Sequence, residues 1–117
     1  MRCIIAGGRD FTDEDLLEKE LNLLRERITE VVSGGASGAD ALGEAWAYEH
    51  YIPCKVFPAD WDKHGRSAGP TRNVEMAEYA DMCVVFWDGK SKGSKHMIHT
   101  ALDKQLLTVV VPYGDVK

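Results

Sequence analysis

Five short apolar runs punctuate the chain, at Cys3–Ala6, Glu30–Ser33, Cys54–Pro58, Cys83–Trp87 and Leu107–Pro112. They are rich in Val, Ile, Cys and Phe and do not alternate with polar residues. Strands covered on both faces of a parallel sheet have that pattern. The intervening segments repeat at helical spacing instead. Leu17, Leu21, Leu24 and Ile28 define one stripe, with Thr12 as the expected N-cap and Asp13, Glu14 and Asp15 suited to the positive end of the helix dipole. Leu42, Ala45 and Trp46 mark a second helix, Met76, Ala77 and Ala80 a third, and Met97, Ile98, Ala101 and Leu102 a fourth. Strict alternation of strand and helix with right-handed crossovers predicts a doubly wound α/β fold. The expected architecture is a Rossmann-like three-layer α/β/α sandwich with a five-stranded parallel sheet and about four helices, as a single domain over residues 1–117. Strand order does not follow from this pattern.

Composition narrows the class. Hydrophobic residues make up 44% and charged residues 28% of the 117 positions, which fits a globular chain and not a disordered one. No apolar run reaches the ~18 residues of a membrane span, and the opening MRCIIAGGRDF turns polar too soon for a signal peptide. A cytoplasmic protein is expected. The formal net charge of −5 argues against a non-specific grip on nucleic acid. Residues 1–50 carry 5 basic and 11 acidic side chains, and residues 51–117 carry 9 and 8, so cations for an anion site come mostly from the second half. Cys3, Cys54 and Cys83 each lie in or beside an apolar run and are expected to be buried, reduced thiols. Metal-ligand spacing such as C-x-x-C is absent. His96 and His99 could share a helix face, but they lack a neighbouring acidic partner or third ligand. Neither a metal nor a cofactor is expected.

Glycine placement locates the chemistry. Four strands run into small or polar loops: Gly7-Gly8-Arg9-Asp10, Ser33 through Asp40, Asp60 through Asn73, and Asp88 through Ser94. In a parallel sheet all four emerge at the carboxyl edge, where open α/β folds bind ligands. Gly34, Gly35 and Gly38 let the backbone approach a ligand closely, Ser33 and Ala36 flank them, and the following helix aims its free N–H groups at the same point. Ser91, Gly93 and Ser94 open the fourth helix in the same manner. Arg66 and Arg72, with Asn73 beside the latter, are candidate phosphate clamps, because a guanidinium binds two oxygens at once. Trp61 could stack on a base or form a lid. Lys90, Lys92 and Lys95 add positive field. Asp40 and Asp10 could accept from ribose hydroxyls, or serve the helix dipole and the turn. Neither a Walker A motif nor G-x-G-x-x-G is present, and Ser33, Ser37 and Ser94 lack a G-x-S-x-G elbow.

Taken together, GGRDF, SGGASGAD, FPADW-x-x-x-GR-x-AG-x-x-RN-x-x-M and FWDGKSKGSKHMI resemble the YspA-like (DUF2493) branch of the SLOG superfamily. That superfamily takes its name from the Smf/DprA and LOG (Lonely Guy) proteins. The resemblance runs from Met1 to about Val111 and implies a Rossmann-like fold that binds nucleotides or nucleotide-derived ligands at these loops. LOG proteins are phosphoribohydrolases with paired R-K-x-x-M and P-G-G-x-G-T-x-x-E motifs. Arg72-Asn73-Val74-Glu75-Met76 matches the first, so Arg72 carries over as a phosphate or catalytic arginine. Gly93-Ser94 fits the G-T of the second, but Met97 stands where that motif has glutamate. N-glycoside cleavage passes through an oxocarbenium-like transition state that a carboxylate stabilises and a thioether does not.

The expected function is therefore a module that binds a nucleotide-derived small molecule, as a sensor or by sequestration. The alternative is a nucleotide hydrolase or N-glycosidase using Arg72 with Asp40 or Asp10. DNA binding, by analogy with the DprA side, is disfavoured by the acidic balance. A homodimer is expected, because so small a sheet leaves edges to cover and SLOG proteins often self-associate.

Overall fold

The structure, a computed structural model, describes residues 1–114; residues 115–117, which the expected domain includes, lie outside the described residues. The chain alternates as predicted: β1 (Arg2–Gly7), α1 (Glu14–Leu24), β2 (Glu30–Ser33), α2 (Ala39–Glu49), β3 (Cys54–Val56), a single turn α3 (Trp61–His64), α4 (Ala68–Tyr79), β4 (Met82–Trp87), α5 (Lys92–Asp103) and β5 (Leu107–Pro112). All five strands are parallel, in the order β3-β2-β1-β4-β5. Four long helices cover the sheet, so the Rossmann-like α/β/α sandwich stands.

Alternation along the inner strands builds two cores. Cys3 and Ile5 of β1 with Met82, Val84 and Phe86 of β4 face α1 and α2, which supply Leu17, Leu21, Trp46 and Ala47. Ile4 and Ala6 with Cys83 and Val85 face α4 and α5, which supply Met76, Ala77, Met97, Ile98 and Ala101. A strand with apolar residues on both faces reads as a continuous run, which is why β1 and β4 show no alternation in the sequence.

The local details differ from expectation in three places. Asp13, not Thr12, caps α1: its carboxylate accepts from the Leu16 amide at 3.0 Å. The stretch 60–73 is no long loop, since it holds α3, a 3₁₀ turn over Gly65–Ser67 and the first half of α4. Pro70 near the start of α4 suits the first turn, where an N–H would have no partner anyway. The edge strands are also not covered on both faces, because β3 is exposed at all three residues and β5 is only partly buried. Cys54 is accordingly exposed, while Cys3 and Cys83 are buried. Its thiol is pushed up to about 11, by partial burial first and then by the charges of Glu44 and Glu30.

Helix α2 lies close on β1 through a helical glycine. A Cβ at Gly43 would stand 2.7 Å from Cγ2 of the fully buried Ile5. Alanine there gains about 1 kcal/mol of helix propensity but overpacks a rigid interface at about 1–3 kcal/mol. Gly43→Ala is expected to lower the urea midpoint of unfolding by a net loss of up to about 2 kcal/mol. An unchanged or higher midpoint would show that the α2–β1 spacing is slack.

Candidate functional site

The chain leaves β1 toward β2 and β3 on one side, then crosses to β4 and β5 on the other. The loops after β1 and β4 therefore depart to opposite faces and leave a crevice between them at the carboxyl edge. A cleft of about 550 Å³ occupies that position.

The first two loops brace each other. The Gly8 carbonyl accepts from the amides of Phe11 and Ala39, both at 3.2 Å, which ties the loop after β1 to the start of α2. Gly38 permits this contact: its φ is 75°, and a Cβ there would stand 2.2 Å from the Gly8 oxygen. Ser33 is fully buried and donates to Glu44 at 2.6 Å while accepting from the Gly35 amide at 3.1 Å. The second glycine loop is thus packed against protein. Gly34, Gly35 and Gly38 do not line the cleft.

Arg72, on α4, reaches back to this loop. Its Nη1 donates to the Gly34 carbonyl at 2.6 Å and its Nε to Oδ1 of Asn73 at 3.1 Å. A Cβ at Gly34 would stand 2.4 Å from Nη1, so the missing side chain makes room for the guanidinium. Two of the five N–H donors are used, leaving three without a partner among the described residues. Nearby, Asp40 is 5% exposed and accepts from the Ala36 amide at 3.3 Å. Burial raises its pKa above the usual 3.8, outweighing the Ala36 hydrogen bond and the positive charge of Arg72. Burial also lowers the pKa of Arg72, opposed by Asp40.

Across the cleft, α5 begins with a built turn. Asp88 accepts from the amides of Lys90 and Ser91, both at 2.8 Å, and these bonds hold its carboxyl below the usual range. Trp87 Nε1 donates to the Ser91 carbonyl at 3.1 Å, and the Ser91 side chain caps the Ser94 amide at 3.3 Å. The next two amides, of Lys92 and Gly93, sit in the first turn, where no intrahelical acceptor exists. Ser94 is 5% exposed, and its Oγ is buried without any hydrogen-bond partner. Asn73, hydrogen-bonded to Arg72, lies 3.1 Å from His96 of α5, so Arg72 and the start of α5 share one corner of the cleft. Helix amides and a guanidinium are all donors, a chemistry suited to an anion.

The rest of the wall is mixed. Trp61, half exposed on α3, and Pro70 make an apolar side, with Gly69 beneath the indole. Asp10 is held by the Tyr113 hydroxyl, which donates to it at 2.9 Å after crossing over Gly8, where any Cβ would collide with that hydroxyl. Met97 is buried and lines the cleft, so a thioether stands at that position.

Of the residues expected at the site, Gly7, Arg9, Asp10, Ala36, Asp40, Trp61, Arg72, Asn73, Ser91, Gly93 and Ser94 line the cleft. Gly8, Ser33, Gly34, Gly35, Gly38 and Arg66 do not; Arg66 is exposed on the 3₁₀ turn, away from the lining. Only Lys92 of the three lysines takes part. His96 lines the cleft while His99 is exposed, so the two do not act as a pair. Sequence reasoning missed Pro70, His96 as a cleft residue, and Tyr113 as the support of Asp10. The Gly-Pro pair at a helix start was a signal for Pro70; nothing in the sequence linked residue 113 to residue 10.

Comparison with known proteins places the chain. The model of the YspA, cpYpsA-related SLOG family matches residues 1–64. The Gene 61 protein of Mycobacterium phage D29 is 35% identical over a 124-residue alignment, covering 97% of each chain. Among solved structures, DNA processing protein A (DprA) from Streptococcus pneumoniae superposes with a TM-score of 0.79 at 16% identity, over 99% of this chain. The chain spans about half (51%) of that protein, and the likeness is one of fold.

Burial of Asp40 has a measurable signature. Its raised pKa means the fold binds that proton more tightly than the unfolded chain does. The stability it contributes is complete below pH 3.8 and is lost as pH rises through the folded value. Asp40→Asn should therefore melt at or above the wild-type temperature at pH 7, with the advantage vanishing below pH 3.8. A variant that melts lower at pH 7 would mean that attraction to Arg72 outweighs burial.

Proposed function

We infer that this chain, which belongs to the YspA, cpYpsA-related SLOG family, holds a nucleotide-derived small molecule in its carboxyl-edge cleft as a sensor or sequestering module. The observation that carries this reading is the set of donors that Arg72 and the first turn of α5 leave open at the cleft. Three guanidinium N–H groups of Arg72 have no partner among the described residues, the Lys92 and Gly93 amides have no intrahelical acceptor, and all three residues line the cleft. The oxygens of one phosphate group would accept from several of these donors at once. Trp61 and Pro70 offer an apolar surface for a base, and Asp10 offers an acceptor for sugar hydroxyls. A cleft of about 550 Å³ is of the size that small-molecule ligands fill.

N-glycoside hydrolysis is the second reading. Two carboxylates, Asp10 and Asp40, line the cleft although Met97 occupies the glutamate position of the LOG motif. The raised pKa of Asp40 suits a group that would give up a proton during the reaction. DNA processing, named for the structural neighbour, finds little support in a chain of net charge −5. We further read the protein as cytoplasmic and as a homodimer: no described helix is long and apolar enough to cross a membrane, and both sheet edges, β3 and β5, are unpaired.

Incubation with a panel of nucleoside monophosphates, ADP-ribose-like compounds and cyclic nucleotides, followed by filtration and mass spectrometry, separates the readings. An intact compound retained with the protein supports binding. Free base with ribose phosphate, abolished in Asp40→Asn, supports hydrolysis. No retained compound and no free base or ribose phosphate at near-millimolar concentration rejects both. For a retained compound, Arg72→Lys, which lacks the planar fork, should weaken binding roughly 10- to 100-fold, as befits loss of one hydrogen bond to a charged group. Gly93→Ala should fold normally, since a Cβ there meets nothing within 4 Å, yet weaken binding by standing between the ligand and the α5 amides.

A further inference from the structure

His96 lines the cleft one helical turn beyond Lys92, and its surroundings determine which nitrogen carries the proton. Arg72 Nε has only a hydrogen to offer, so the Asn73 atom 3.1 Å away must be the oxygen. The Asn73 nitrogen is thereby turned toward His96 Nδ1, at 3.1 Å, and can only donate to it. The Thr100 hydroxyl also points at Nδ1, at 3.4 Å. Nδ1 is therefore an acceptor, and the imidazole is neutral with its hydrogen on Nε2. Asn73 is 6% exposed, which leaves its amide little freedom to adopt another pose. The three side chains form a one-way chain of donors, from Arg72 through Asn73 to His96.

We propose that His96 is a positioning residue for Arg72: its neutral imidazole anchors Asn73, Asn73 orients the guanidinium, and uptake of a proton at Nδ1 breaks the chain and loosens the anion-binding corner. The proposal rests on the reading of that corner as an anion site. A proton on Nδ1 would face the Asn73 N–H donors. Asn73 could answer only by turning its oxygen toward His96, which gives up the bond to Arg72. The charged groups sharing the cleft with His96 are Arg9 and Asp10 from the loop after β1, Asp40 from α2, Arg72 from α4 and Lys92 from α5 itself. Strand β5 brings no titratable side chain, and β4 brings only Cys83, a buried thiol whose pKa is raised by burial. A simple electrostatic role for His96 predicts the opposite response, because an added positive charge would strengthen anion binding.

The test is ring and guanidinium ¹⁵N NMR of the full chain without ligand, followed from about pH 8 to pH 5, the interval in which histidine side chains gain charge. The expected spectrum shows the Nε2–H tautomer at the alkaline end, and the Arg72 Nε–H signal moves with the same midpoint as the His96 ring. In His96→Gln, whose carbonyl can accept from Asn73 at every pH, the Arg72 signal should stay still. Asn73→Asp supplies a second route: its carboxylate demands a hydrogen on Nδ1 and should invert the tautomer. An Nδ1–H tautomer in the wild type, or an Arg72 signal indifferent to His96, would overturn the proposal. Inorganic sulfate, whose charge is constant over this range, gives the functional readout. Its affinity should fall roughly three- to tenfold on acidification, as for loss of one hydrogen bond, and should do so less in His96→Gln. A steady rise would overturn the proposal. Absence of sulfate binding at any pH would count against the anion corner itself, and the NMR coupling would still decide the role of His96.

Discussion

The reversal of chain direction at β1 is the constraint on which the rest depends. β1 pairs with β2 on one side and β4 on the other, and its Cys3, Ile4 and Ile5 are fully buried. Because α1 and α5 must cover opposite faces, the loops after β1 and β4 cannot meet, and a crevice opens where they part. The cleft is thus a consequence of covering both faces of the sheet. Its polar residues are a separate matter, since the same architecture could close over an apolar gap.

Electrostatics at the crevice follow from how tightly the loops pack. The contact between Gly8 and Gly38 draws the start of α2 against the first loop, and it carries Asp40 out of solvent. A carboxylate in that place repels anions directly above it, so the helix that usually offers its amides to phosphate is here the less favourable of two. Helix α5 has no such residue in its first turn, where Lys92, Gly93 and Ser94 stand instead. Arg72 sits between the two regions, tied to Gly34 on the acidic side and free on the other. The cleft therefore combines donors from α4 and α5 with the carboxyl groups of Asp10 and Asp40, a set that suits a ligand carrying both an anion and hydroxyl donors.

Much of this was legible in the sequence, and the failures have particular causes. Parallel strands buried on both faces announce themselves, and the glycine-bearing loops mark the carboxyl edge; hence the sandwich and the family resemblance were readable without coordinates. Strand order was not, because it depends on which crossovers pass over which face, and periodicity carries no information on that. Gly34 and Gly38 read as ligand-approach glycines because a bare backbone serves a ligand or another piece of protein equally well. Here the neighbours are Arg72 and Gly8. Arg66 and Arg72 looked equivalent in one stretch of polar residues, but α4 begins at Ala68, and only Arg72 lies on it. Cys54 was misjudged for the reason that β3 is an edge: an apolar run signals a strand, and neither its length nor its composition tells how much of it a neighbour covers.

Unpartnered polarity at the cleft weighs heavily in a chain of this size. A domain of about a hundred residues has a net stability of roughly 5–15 kcal/mol. One buried hydroxyl without a partner removes about 1–3 kcal/mol of that, and the burial of Asp40 adds a further cost at neutral pH. Alanine at position 94 would relieve the first, and asparagine at position 40 the second, each without disturbing the packing of the sheet. A ligand held by Arg72 and the α5 amides would stabilise the folded chain by RT ln(1 + [L]/Kd), about 2.7 kcal/mol at a hundredfold excess over Kd. Occupancy and stability are therefore coupled through the same few atoms. A binding module needs only that coupling, whereas a hydrolase needs in addition a carboxylate placed for the transition state, and Met97 does not supply one.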